Sequence, residues 1–263
     1  MIANVRLLYT TRDLVIAWTY RIIRGRYQQS VLGGLWAIIQ PAATVAIFSL
    51  IFTYIVPVDT GDVPYMVFSY VAMVPWTLFA SSVIDMVDSL VGNMNLVSRI
   101  YFPREVLPLS YLLARLVDFA IAYAVVVVLL IYFRLELFLV GWLCLPLVLL
   151  VQLSLALGIG LAGAALNVFY RDVRHVFTLV IQLWFYASPI IYPVSEVKSR
   201  LPSHYYLYYL NPMTGVIEGY RDILLNQRLP GPYLALSAAV AVALLLFGYW
   251  LFKRVEFQFA DVV

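Results

Sequence analysis

From Tyr27 to Val58 the chain carries no charged residue. A helix crosses a bilayer core with about 20 apolar residues, so this run can span with residues to spare. Arg24 and Arg26 flank it on one side, Asp59 and Asp62 on the other. Cytoplasmic flanks collect arginine and lysine, so the helix is predicted to run from the cytoplasm outward. Every later crossing takes its direction from this one.

Composition extends the argument to the whole chain. Of the 263 residues, 64% are hydrophobic and 12% charged, against about 25% charged in soluble domains. The class is an integral membrane protein. A net charge of +3 gives no footprint for nucleic acid, and none is expected as a partner. Cys144 is the single cysteine, which excludes an intramolecular disulfide. His175 and His204 fall in different loops, so no metal site is expected. Arg12 and Asp13 interrupt the N-terminal stretch, which therefore does not read as a cleavable signal.

Residues 1–26 are predicted to form a cytoplasmic interfacial helix. Leu14, Val15, Trp18 and Ile22 recur at helical spacing, and Gly25 offers a place to turn. Residues 30–254 form a six-span core, and residues 1–263 make one transmembrane domain. The first span, 30–56, contains Pro41. The second lies between Asp62 and Asp85 and is interrupted by Pro75-Trp76. Residues 89–107 are too polar to span and too apolar for a loose linker; a short helix ending before Pro103 fits. The third span, 108–133, carries Arg115 and Asp118 near its inner end. The fourth, 137–170, repeats Ala156, Gly160 and Ala164, which lets a neighbouring helix approach. The fifth is 176–191. Residues 195–229 are mixed in character and are predicted to hold short or re-entrant helices. The sixth span is 233–252. Of the 17 arginines and lysines, only Arg134, Lys198, Arg200, Arg221 and Arg228 fall on outer segments. Both termini are therefore placed in the cytoplasm. The fold class is all-α integral membrane, six transmembrane helices behind an N-terminal amphipathic helix.

Several chemistries are missing. No lysine follows a glycine, so there is no phosphate-binding loop, and this chain is not expected to hydrolyse ATP by itself. There is no HExxH zinc pair and no GxSxG nucleophile. Asp85 and Asp88 suggest a proton relay, but Arg115 and Asp118 sit at the same depth on the next span. An ion-paired network of these four is favoured. The chain holds 20 tyrosines and 6 tryptophans. Interfacial belts account for many. A second role is a sliding path for sugar rings, for which Tyr186, Tyr192, Tyr205, Tyr206, Tyr208 and Tyr209 are the candidates.

Four motifs then occur in order. They are Arg26-Tyr27-x-x-Ser30-x-Leu32-Gly33-x-Leu35-Trp36-x-x-x-x-Pro41, Asn167-x-x-Tyr170-Arg171-Asp172-Val173, Ser188-Pro189-Ile-Ile-Tyr192 and Leu210-Asn211-Pro212-Met213. Together they resemble the permeases of ABC-2 type polysaccharide exporters, which include O-antigen, capsule and teichoic-acid permeases. The resemblance covers almost the whole chain. It implies a homodimer in the cytoplasmic (inner) membrane, joined to two ATPase subunits that hold ATP and Mg, and a lipid-linked glycan as cargo. It also implies that about Asn93 to Glu105 is a coupling helix. The candidate contacts there are Asn93, Arg99, Tyr101, Phe102, Pro103, Arg104 and Glu105, with Arg171 and Asp172 in the second inner loop. Tyr27 and Trp36 are expected on the substrate path. Within transport the alternative is a drug or lipid permease; outside it, a membrane enzyme acting on polyprenyl-linked sugars.

Overall fold

The computed structural model describes residues 11–28, 30–97, 102–200, 202–203 and 205–260. Arg99, Tyr101 and His204 lie outside the described residues. Among the described residues all regular structure is helical. The α-helices are α1 (Arg12–Tyr27), α2 (Trp36–Leu50), α3 (Tyr65–Asp88), α4 (Met94–Val97), α5 (Val106–Tyr132), α6 (Leu139–Trp142), α7 (Leu145–Phe169), α8 (Val173–Tyr186), α9 (Val194–Arg200), α10 (Tyr205–Tyr208), α11 (Pro212–Leu224) and α12 (Tyr233–Val255).

Five segments are long and apolar enough to cross a bilayer: Gly33–Ile55, Tyr65–Asp88, Val106–Tyr132, Leu139–Phe169 and Tyr233–Phe259. They correspond to five of the six predicted spans. The predicted fifth span is shorter than expected. α8 has 14 residues, about 21 Å at 1.5 Å per residue, against a hydrocarbon core of about 30 Å.

α3 is the axis of the bundle. Ahead of Asp85 it carries no charge and is apolar on most of its surface, and it is buried over most of its length, packed by α2, α5, α7, α8 and α11. A helix with no polar face is stable only when covered on every side. The outer helices instead keep apolar faces exposed, as Ile47, Leu50 and Tyr54 show on the first segment. Pro75 does not interrupt α3, contrary to the sequence expectation; the helix runs through it. Gln152 on α7 donates Nε2 to the Pro75 carbonyl at 2.8 Å, which ties α7 to α3 at the proline. Gln152 in turn accepts from the Tyr220 hydroxyl at 3.1 Å.

The expected turn at Gly25 does not occur there either. α1 continues through Gly25 to Tyr27. The chain turns later, at Gly33, whose φ of 49° lies in the left-handed region that favours glycine. α1 packs on α5, where the Ser110 hydroxyl donates to the Val15 carbonyl at 3.3 Å.

The small residues of α7 serve two neighbours. Gly160 meets Met86 of α3, while Gly158 lies against the backbone of α12 at Leu244 and Gly248. A Cβ on either Gly158 or Gly248 would overlap the other helix's backbone. Gly158→Leu is therefore expected to force α7 and α12 apart, at about 1–3 kcal/mol or more. The measure is the yield of monodisperse protein in detergent. Gly25→Ala, where a Cβ meets nothing, should leave that yield unchanged.

Candidate functional site

Two polar assemblies sit at opposite ends of α3. The first begins with Asp85, in the last turn of α3, and Asp118 and Arg115, one turn apart on α5. Arg115 clasps Asp85 with both ends of its fork, Nε at 2.7 Å and Nη2 at 3.1 Å. Its Nη1 reaches Asp118 at 3.1 Å. Arg26, from the last turn of α1, closes a ring: Nη1 to Asp118 at 2.6 Å and Nη2 to Asp85 at 3.0 Å. The Tyr27 hydroxyl donates to the other Asp118 oxygen. Burial, then the neighbouring Asp118 carboxylate, pushes the Tyr27 phenol up to about 12, so it remains a donor near neutral pH. The four charged side chains are 14–25% exposed. Each carboxylate is held by two guanidiniums, and protonating either would break those charge-assisted bonds. The arrangement is a clamp joining α1, α3 and α5.

The structure thus joins Asp85, Arg115 and Asp118 and leaves Asp88 out. Asp88 pairs with Arg174, at the start of α8, at 3.1 Å. Arg26 and Tyr27 were not expected in the ring. A signal existed: three aspartates against one arginine leave the inner ends short of positive charge. Arg26 and Arg174 supply it.

Above the ring a cavity of about 190 Å³ opens between α2, α3 and α5. Tyr27, Trp36, Pro41 and Arg115 are among its lining, so two candidate path residues share it. Trp36 is half exposed.

The expected coupling segment is divided by the structure. Asn93 donates to the Ser89 carbonyl at 2.8 Å and caps the turn after α3. Phe102 shares an apolar cavity with Leu14 and Trp18 of α1. Pro103 is half-buried, and the Arg104 guanidinium lies 5.7 Å from the Phe259 ring. Glu105 is buried and ion-paired with Lys253 of α12 at 2.5 Å. Arg171 and Asp172 are exposed at the turn between α7 and α8. Asn167 is buried and donates to the Val87 carbonyl at 3.0 Å.

The second assembly caps the other end of α3. Asn211 is the N-cap of α11 and accepts from the Met213 amide at 3.0 Å and from the Trp184 indole at 2.8 Å. Its Nδ2 donates to the Ala187 carbonyl and the Ser188 hydroxyl, each at 3.0 Å. Two of the four sequence motifs therefore hold each other. Arg221, 2% exposed, donates to the carbonyls of Pro189 at 2.5 Å and Ile190 at 3.0 Å, and pairs with Glu218 at 3.1 Å. Its guanidinium lies 3.6 Å from the Phe68 ring. From the sequence alone Arg221 is legible only as a charge on an outer segment. Of the tyrosines, Tyr208 donates to the Tyr192 hydroxyl at 2.9 Å, and Tyr192 to the Tyr186 carbonyl at 3.0 Å. Tyr209 stacks on Tyr233. Tyr186 and Tyr206 are exposed, and the ring of Tyr205 lies against that of Tyr206.

A helical bundle with five membrane-length apolar segments, and charges gathered at the ends of its central helix, has the build of a multi-pass membrane protein. The ABC-2 type transporter family model matches residues 13–225, and the chain belongs to that family. The chain is similar to an O-antigen export system permease protein RfbA of Myxococcus xanthus, 32% identical over 100% of both chains. A Klebsiella pneumoniae RfbA is 28% identical over 95% of both. The polysialic acid transport protein KpsM of Escherichia coli is 27% identical over 78% of both.

Proposed function

We propose that the chain is the permease subunit of an exporter that moves a lipid-linked polysaccharide across the cytoplasmic membrane. The observation that carries this is the end-to-end match to an O-antigen export permease over 100% of both chains. α8 and the stretch 187–192 together make the fifth of six crossings, and both termini face the cytoplasm. α1 lies in the inner interface, fastened by the ring at Arg26. Two copies form the channel, and two separate ATPase subunits bind ATP and Mg. Asn93, Phe102, Pro103, Arg104, Arg171 and Asp172 face those subunits, while Glu105 holds the segment from behind through Lys253. Tyr27 and Trp36 line the entry, and the tyrosines around Tyr192 and Tyr208 line the exit.

Deleting the gene from its host is expected to remove the surface polysaccharide and to leave lipid-linked glycan accumulating inside. Re-expression should restore the surface material. Surface polysaccharide at the parental level in the deletion strain would overturn the proposal.

A further inference from the structure

A cavity of about 550 Å³ opens at the Tyr65 end of α3, far from the Arg26 ring. That lies within the about 300–1,000 Å³ typical of small-ligand sites. The loop at Asp59, the start of α9, Tyr209 and the end of α11 enclose it.

Its polar groups are fixed by the protein and incompletely used by it. One Glu218 oxygen accepts from Arg221 at 3.1 Å; the other has no hydrogen-bond partner among the described residues. The Tyr209 ring is held parallel to Tyr233, with 5.3 Å between centroids, yet among the described residues its hydroxyl has no partner. Asn226 donates to Asp222 at 3.1 Å, which leaves its side-chain carbonyl free among the described residues. Lys198 stands at the rim.

The charges select the ligand class. Glu218 is paired with Arg221 and Arg228 with Asp222, so the charges left over in the lining are Asp59 and Lys198, one of each sign, and neither an anion nor a cation is favoured; no cluster of three metal-ligating side chains exists among the described residues. A neutral, hydroxyl-rich molecule satisfies both signs. Its hydroxyls donate to the Glu218 and Asn226 oxygens and accept from Lys198 and Tyr209, while Val63 and Pro193 offer an apolar wall for its C–H face.

We propose that this cavity binds saccharide units of the exported polysaccharide on the outer side of the membrane. The site rests on the export function proposed above and adds a place and a set of contacts to it. The test uses the permease purified with its ATPase, titrated calorimetrically with delipidated polysaccharide taken from the producing cells. Saturable binding is expected. The double variant Tyr209→Phe/Asn226→Ala, which removes two hydrogen-bonding groups from accessible positions, should bind about tenfold more weakly. Tyr20→Phe, on α1, should bind like the parent. No saturable binding by the parent, or equal affinity in the double variant, overturns the site. Either result leaves the permease function standing provided the deletion strain lacks surface polysaccharide. Normal export by that strain would instead remove the function itself.

Discussion

Arg115→Met is expected to destabilise the protein more than a double change that removes Arg115 and its partner's charge together. Among the described residues Arg115 alone binds both Asp85 oxygens, and it also touches Asp118. Without it, two carboxylates share Arg26. Removing one member of a buried ion pair costs about 3–5 kcal/mol, because the remaining charge is left uncompensated. The ring is partly open to solvent, so about 2–4 kcal/mol is the expectation here. In Arg115→Met/Asp85→Asn the balance returns, with Arg26 and Tyr27 still on Asp118. The double variant should therefore unfold at a higher temperature than the single one. The readout is Tm in a fixed detergent for both single variants and the double. Costs that simply add would show that the four groups do not act as one unit. The expectation also bears on transport, because the ring fastens the C-terminal end of α1 to α3 and α5.

The same ring shows what the sequence could and could not disclose. Asp85, Arg115 and Asp118 stood out because charges inside apolar helices are costly and must meet. Arg26 did not, since an arginine flanking a span is already explained by topology. Only the shortage of positive charge pointed beyond that explanation. Helix lengths divide the same way. Val106–Tyr132 and Tyr233–Val255 follow their apolar runs closely. α8 ends at Tyr186 although apolar residues continue to Ile191. Hydropathy reports which residues prefer lipid, not what their backbone does. Pro189 and Pro193 cannot donate to a helical ladder. The carbonyls of Pro189 and Ile190 find Arg221 instead, more than 30 residues away in sequence. Such a contact has no local pattern. Pro75 is the converse case, a local helix breaker overruled by packing on every side of α3.

Arg221→Lys should be nearly as damaging as Arg221→Met, although it keeps the charge. Arg221 is 2% exposed and does four things at once. It donates to two carbonyls, pairs with Glu218 and lies over the Phe68 ring. The planar guanidinium fork can serve all of these together. A lysine ammonium is a compact, strongly hydrated point, and reaching one carbonyl draws it from the carboxylate or the ring. Each buried acceptor left without a donor costs about 1–3 kcal/mol. Two such losses approach the lower end of a typical folding margin, about 5 kcal/mol. The expected result is loss of folded protein from the membrane, or a Tm well below the parent. Glu218→Gln in the Arg221→Met background should recover part of the loss, since the stranded carboxylate is gone, but not the part owed to the carbonyls. Arg200→Lys, an exposed pair on α9, sets the baseline and should shift stability by no more than about 0.5 kcal/mol. A folded Arg221→Lys variant with the parental Tm would mean that the 187–192 turn is held without Arg221, by Asn211 on Ala187 and Ser188 and by the Tyr65 hydroxyl on the Ile191 carbonyl, and the stop after Tyr186 would then be the work of the prolines.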